Sequence, residues 1–533
     1  MANDAMSRWV ACWALAACGL AAACGTDDAV TKCPAADVAC MALDAQVAGG
    51  SGGDPLGGGG ALSGDNPIDS GRDPLGVDGS VPRPGDDAGP ASALDAGGDA
   101  GSSLVDGGST VPPSMPRPPG CGDGVCAASE DCGTCALDCA PCGTSVCTTG
   151  NCIHVDDTVQ HQTISGWEAT AQAGQTSPGF AMYEDELFDR VANELQLTRL
   201  RVEVKSTTVG GDFELASFDR QMTDVALPLK AKLDARGDHL WINVCVVGNH
   251  LKDDPAKYAA QALKVVQHMH DDYGVVPDSW EVALEPDVFG WDDPMLVGNA
   301  LVAAGKLLAD NGFDLDFVAP SNTAASHVPA YVAVMKDIPG IFDYWRELSY
   351  HRYDWPDASE LQAIAALAQQ YNLRTSMLEH LDSGHADLHA DLTEANVSAW
   401  QQYTLAFPVS SDDGAQYYWP MNNGAVLQLA NRARYLRQYF AYVRPGAVRV
   451  EATSTRTTLD PTAFITTDNR YVVVMNTAGT LTMGIGGLPA GTYGVTYTTA
   501  TQTHASAPDL QVTAAGTAEV TIPEAGVLTV FQR

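Results

Sequence analysis

Two glutamates close short apolar runs: Glu285 in Ser279-Trp280-Glu281-Val282-Ala283-Leu284-Glu285-Pro286, and Glu379 in Thr375-Ser376-Met377-Leu378-Glu379-His380. A carboxylate is costly to strip of water, so a hydrophobic run that ends in one implies that the chain there reaches a polar mouth. Two such ends supply the pair that double displacement at a glycosidic carbon requires. One carboxylic acid protonates the leaving oxygen and one carboxylate attacks the carbon, with the two held about 5 Å apart. The acid must afterwards act as base, which requires a pKa near working pH, reachable through partial burial and a charged neighbour.

Elements able to position such a pair follow residue 156. Strand-like runs at 162–169, 197–204, 240–247, 279–285, 316–320, 348–353, 374–379 and 398–407 alternate with amphipathic stretches at 183–195, 218–235, 256–273, 295–311, 328–336, 359–371 and 425–442. The third of these stretches shows the pattern. Asp254 caps it, Pro255 fits its first turn, and Ala259, Ala262, Leu263, Val266, Met269 and Tyr273 share one face. The alternation predicts an α/β fold, a (β/α)8 TIM barrel over 157–446. A doubly wound open sheet is the alternative. Against it, 173–179 carries no phosphate-cradling glycine fingerprint, and both glutamates end strands, where barrel sites are built. From residue 448 onward, short runs rich in Val, Thr and Tyr between Gly, Pro and Asn turns predict a small all-β sandwich over 447–533.

On this count Glu285 ends the fourth barrel strand and Glu379 the seventh. With Gly166-Trp167-Glu168 at the first strand, Arg199-Leu200-Arg201 at the second and Tyr350-His351-Arg352-Tyr353 at the sixth, the chain resembles clan A glycoside hydrolases, most closely family 30. Tyr442-Val443-Arg444-Pro445-Gly446-Ala447-Val448-Arg449-Val450 is similar to that family's crossing from the last barrel helix into its sandwich, so the resemblance covers 162–533. It implies retaining hydrolysis of O-glycosidic bonds in a polysaccharide or oligosaccharide, with Glu285 as general acid/base and Glu379 as nucleophile. Arg201 is expected to hold the nucleophile's carboxylate, or else to form a salt bridge at the mouth with Glu203. His351 and Tyr353 are expected to orient Glu379 and touch sugar hydroxyls.

One position departs from the family pattern. Leu284 stands where the family has an Asn whose side chain hydrogen-bonds the sugar's 2-hydroxyl, a contact worth several kcal/mol in retaining enzymes. Asn249 or Asn322 could take that role, or the substrate lacks the hydroxyl, or catalysis is impaired. The last case keeps a carbohydrate-binding or adhesion protein as the alternative. Trp167, Trp291, Trp355, Trp400, Tyr417, Tyr418 and Trp419 lie near loops where an aromatic face can stack on a sugar ring, and of these Trp167, Trp400 and Trp419 are taken as substrate-binding candidates. No cofactor is implied, and no metal site is expected. His268 and His270 sit at i, i+2 on a helix and face apart, and Cys245 inside an apolar run is expected to be a buried free thiol.

The formal net charge of −37 over 533 residues repels nucleic-acid phosphates and excludes a nucleic-acid partner. Arg8, the apolar run 9–23 and Ala21-Ala22-Ala23-Cys24-Gly25 predict a lipoprotein-type export signal over 1–24, with Cys24 as lipid anchor. Leu15-Ala16-Ala17-Cys18 is a second match, and an ordinary cleaved signal the plainer reading. The lipid would be the only link to a membrane, at the outer membrane or cell surface, with a secreted form as the alternative. Residues 25–120, dominated by Gly, Asp, Ser, Pro and Ala, predict a disordered tether. Over 121–153, Cys121, Cys126, Cys132, Cys135, Cys139, Cys142, Cys147 and Cys152 predict a disulfide-stapled module. Export argues against zinc on its thiols, and its acidic residues are expected to be solvated surface rather than calcium ligands.

Overall fold

The computed structural model describes residues 150–207, 211–407, 412, 415–513 and 517–533. The predicted signal with Cys24, the tether and seven of the eight module cysteines lie outside the described residues. Cys152 is within them, disulfide-bonded, at the start of β1 (Cys152–Thr163).

Eight parallel strands form a closed barrel, confirming the predicted fold. They are β2 (Gly166–Thr170), β3 (Arg199–Ser206), β5 (Trp241–Val247), β6 (Ser279–Glu281), β7 (Asp316–Asn322), β8 (Trp345–His351), β9 (Arg374–Glu379) and β10 (Val397–Ala406). Closure comes from β10, which pairs with both β9 and β2. A two-residue strand, β4 (Phe213–Glu214), pairs back on β3, and the hairpin of β11 (Gln416–Met421) and β12 (Val426–Leu429) extends the sheet from β10. Val426–Leu429 falls where the sequence predicts the start of the last helix, which begins only at Asn431.

The crossover helices start and stop where their sequences dictate. Asp254 accepts a hydrogen bond from Lys257 N at the head of the helix Pro255–Tyr273, which Gly274 ends in the left-handed region. Asp357 and Glu360 form a reciprocal capping box on the helix Ala358–Tyr371. The apolar faces of these helices join the outward residues of the strands in one continuous core, with Leu200, Val202, Ile242, Val244, Trp280 and Phe317 essentially inaccessible.

The second layer is a nine-stranded sheet folded around its own core. Its order runs through β18 (Ala505–Val512), β17 (Gly491–Thr499), β20 (Gly526–Gln532), β15 (Tyr471–Thr477), β14 (Leu459–Ile465), β13 (Val448–Ser454), β1, β16 (Leu481–Gly486) and β19 (Ala518–Ile522). Here the sequence boundaries need correcting. β1 pairs antiparallel with β13 and parallel with β16, so residues before the barrel complete the C-terminal sandwich. Ile153 and Val155 are buried in the sandwich core, and the barrel begins only at Gly166. That glycine has φ +140, and a Cβ there would lie 2.6 Å from Thr198 Oγ1.

The helix Asn431–Phe440 joins the two layers. Gln438, fully buried, donates to Thr498 Oγ1 at 3.0 Å and accepts from Thr496 Oγ1 at 3.0 Å, while Arg434 donates to Thr499 O at 3.0 Å. The sandwich is therefore fastened to the barrel's last helix by a satisfied polar seam, as buried polar groups require.

Candidate active site

The barrel interior is polar from its floor upward. Arg199, inaccessible to solvent, donates to Glu168 Oε2 at 2.7 Å and to Glu347 Oε1 at 3.0 Å. Asn243 Nδ2 bridges Glu168 Oε1 at 3.3 Å and Glu281 Oε2 at 3.0 Å. One turn of the pleat higher on β3, Arg201 points the same way, because alternate residues of a strand share a face. Its guanidinium donates to Glu379 Oε2, also reaches Leu378 O at 3.4 Å, and lies 3.7 Å from Glu203 Oε1. Burial disfavours the Arg201 charge, but Glu379, Glu281 and Glu203 outweigh it and hold the group firmly protonated.

Glu203 is kept in register by a device that the sequence did not reveal. β2 is short, so the backbone of Glu203 lacks a strand neighbour on that side. Gln221 supplies one, accepting from Glu203 N at 2.9 Å and donating to Glu203 O at 2.8 Å.

Glu285 lies beyond the regular end of β6. Val282 N donates to Val318 O at 3.1 Å and Leu284 N to Val246 O at 2.9 Å, carrying the ladder up to the barrel mouth. Glu285 itself has φ +44, a conformation that costs a non-glycine residue about 1–3 kcal/mol and concentrates at functional sites. The turn is held by Val288 N and Phe289 N, which donate to Glu285 O at 3.0 and 2.9 Å. The carboxyl is buried, and its Oε1 sits 3.0 Å from His351 Nδ1. Burial first, then the charge of Asp287, push its pKa up to about 8 against the opposing pull of Arg201. Burial likewise lowers the pKa of His351. At neutral pH an uncharged imidazole therefore faces a protonated carboxyl.

Glu379 ends β9 one strand away from His351, at the same level of the sheet. Tyr353 donates to its Oε1 at 3.0 Å, opposite the Arg201 contact. One carboxylate oxygen each of Glu285 and Glu379 and one ring nitrogen of His351 all lie within 4.8 Å of one another. Three such donors could in other surroundings hold a cation. Here Arg201 already places a positive charge on Glu379, and His351 Nδ1 is engaged with Glu285.

The structure thus brings Glu285, Glu379, Arg201, His351 and Tyr353 together at the carboxyl ends of the strands. Two expectations need correcting. His351 bonds Glu285 rather than Glu379. Trp167 and Trp400 have no accessible surface: Trp167 stacks on Phe440 at 4.8 Å and donates to Val443 O, and Trp400 donates to Asp391 Oδ2 at 2.8 Å. Both point outward from the barrel wall into the helix layer, so neither meets a sugar. Trp419 is partly buried in β11, on the hairpin outside the barrel ring. Trp291, Tyr417 and Tyr418 are also core residues, whereas Trp355 is exposed. Leu284 is half-buried beside Glu285. Asn322 is buried at the end of β7, and Asn249 lies against Gly290 on the loop after Glu285. Cys245 is a buried free thiol, as expected.

Residues 446–486 match a family model described as the glycosyl hydrolase family 30 beta sandwich domain. Among solved structures, a family 30 endoxylanase from Clostridium papyrosolvens C71 is similar at 17% identity and TM-score 0.57, covering 72% of this chain and 100% of that one. A family 30 subfamily 8 xylanase from Clostridium acetobutylicum is similar at 18% identity and TM-score 0.57, covering 71% and 98%. An endo-β1,6-glucanase is similar at 14% identity and TM-score 0.54, covering 71% and 93%. No curated protein matched the sequence. At these identities the likeness is one of fold: this chain has the barrel-and-sandwich architecture of family 30 glycoside hydrolases.

Proposed function

We propose that the barrel is a retaining glycoside hydrolase acting on an extracellular polysaccharide or oligosaccharide, with Glu285 as general acid/base and Glu379 as nucleophile. The observation that carries this reading is the placement of two carboxyl groups within 4.8 Å in opposite electrostatic settings. Glu285 is buried against a neutral imidazole and keeps its proton to about pH 8, whereas Glu379 faces the Arg201 guanidinium. Separations near 5 Å suit a covalent glycosyl intermediate, because no room is left for a water between the second carboxylate and the sugar. In the first step Glu285 gives its proton to the departing oxygen while Glu379 bonds to the sugar carbon. The anionic Glu285 then takes a proton from water, which attacks that carbon and releases Glu379. Tyr353 and Arg201 hold the nucleophile's two oxygens and so fix the direction of attack.

Leu284 favours one second reading, a catalytically impaired carbohydrate-binding or adhesion protein, because leucine cannot hold a sugar hydroxyl. Polysaccharides including xylan and β-1,6-glucan, the substrates named for two of the similar structures, form the starting panel. Glu285→Ala and Glu379→Ala should each lower activity by about 10²–10⁴ on a substrate with a poor leaving group. Glu285→Ala should retain more on an activated aryl glycoside. Azide should rescue Glu285→Ala with retained configuration and Glu379→Ala with inverted configuration. Equal activity of wild type and both variants rejects the assignment, and glycan binding without cleavage by any of them establishes the adhesion reading. Leu284→Asn should raise activity if the bound sugar carries a free 2-hydroxyl, and a loss indicates a pocket shaped around leucine. The lipoprotein signal, tether and disulfide module predicted from the sequence support an exported enzyme held at the cell surface by Cys24.

A further inference from the structure

Trp355 is the only exposed aromatic among the described residues, at 52% exposure, and its surroundings keep it so. Its φ of +56 is one that a bulky side chain rarely adopts, so the loop must be held by contacts elsewhere. Those contacts are present. Trp355 N donates to Arg352 O at 2.9 Å, and Tyr353 N to Thr323 O at 3.2 Å. Asp354 accepts from Ala325 N and Ser326 N at 3.1 and 2.9 Å, tying the loop to the end of β7. Beneath it, buried Arg352 donates to Asp391 at 2.5 Å and to Asp387 at 3.2 Å. A strained, exposed tryptophan on an anchored loop is expensive, and the described residues leave about half of its surface open.

The ring is also connected to the reacting groups. Trp355 meets His380 at 4.6 Å and 87°, and His380 meets Tyr353 at 5.1 Å and 74°, both edge to face. Tyr353 in turn donates to Glu379. Burial lowers the pKa of His380 to about 4, so it is a neutral spacer between the two rings. These contacts fix the indole one histidine ring away from the tyrosine that holds Glu379.

We propose that Trp355 is the stacking platform for a second sugar residue, next to the one held between the glutamates, so that the site takes glycan chains in preference to single glycosides. A pyranose presents an apolar C–H face to such a ring, and a platform set in place before binding loses little entropy when the sugar arrives. The inference rests on the glycoside hydrolase reading for its location, and its test separates the two. With an aryl glycoside and oligosaccharides of increasing length of the sugar that the wild type cleaves, Trp355→Ala should lose about tenfold more kcat/KM on the oligosaccharides than on the aryl glycoside. Trp355→Phe should restore most of that difference. Equal losses on the two substrate types, or no loss on oligosaccharides, overturn the platform while leaving the glutamate assignment standing. If the wild type cleaves nothing, retardation in gels containing xylan or β-1,6-glucan decides. Retardation abolished by Trp355→Ala supports the platform although the hydrolase reading has failed, and retardation that is absent or insensitive to the change overturns it.

Discussion

Replacing Glu285 by Gln should remove a pH-dependent loss of stability, and the size of that loss follows from one buried carboxyl. In the folded protein Glu285 keeps its proton up to about pH 8, whereas its ordinary value is 4.5. Between those values the folded state binds a proton that the unfolded chain has released. Stability is therefore full below the ordinary value and falls as pH rises, by about 1.4 kcal/mol for each pH step. The fall reaches about 3 kcal/mol at pH 7 and about 5 kcal/mol once Glu285 is ionised in both states. For a folded unit of this size, with an unfolding entropy of about 2.1 cal/mol/K per residue, the loss between about pH 5 and 9 amounts to about 5 °C in Tm. The assay is a set of thermal melts of wild type and Glu285→Gln across that range. The wild type's Tm relative to the variant should drop by about that amount, since other titrating groups cancel in the difference. The same proton should set the basic limb of kcat/KM near pH 8 in the wild type. Parallel melting curves, or a basic limb below about pH 6, would refute the claim that burial holds this proton.

Arg201→Ala should destabilise the fold by about 3–5 kcal/mol, read from the urea midpoint, because it leaves the buried Glu379 carboxylate without a cation. Adding Glu379→Ala should recover part of that loss, and a double variant no more stable than the single would show that the pair is not coupled. Expressed in a host that processes lipoproteins, the full chain should partition into detergent, and Cys24→Ser should release it or block its processing. Unchanged partitioning of that variant would point to Cys18 or to an anchor other than lipid.

Much of the site was legible because strand ends are marked by composition. Apolar runs that stop at Glu285 and Glu379, and the alternation of Arg199 and Arg201 along β3, follow from a period of two and from the cost of burying charge. Tyr353 and Arg201 contact the two oxygens of Glu379, the group beside which their strand-end positions led them to be expected. His351 bonds the other glutamate although it pairs level with Glu379, and the direction a side chain takes at an irregular strand end leaves no trace in residue types. The tryptophans show the same limit. Trp167 and Trp400 share the wall of the barrel with inward-facing residues, and aromatic side chains look alike in sequence whether they face a helix layer or a sugar.

By itself, the sequence determined the alternation of strands and helices, the barrel and sandwich in that order, and the two glutamates at carboxyl ends, all consequences of local periodicity and of the cost of dehydrating a charge. Only the tertiary structure decided that β1 leaves the N-terminal side to complete the C-terminal sandwich, that Gln221 stands in for a missing strand beside Glu203, that Glu285 holds its proton to about pH 8, and that Trp355 alone among the aromatics of the described residues faces solvent. Each of these depends on groups 18 or more residues apart in the chain meeting at a particular distance and depth. Pairing partners, local dielectric and exposure are properties of that meeting, and no single stretch of chain carries them.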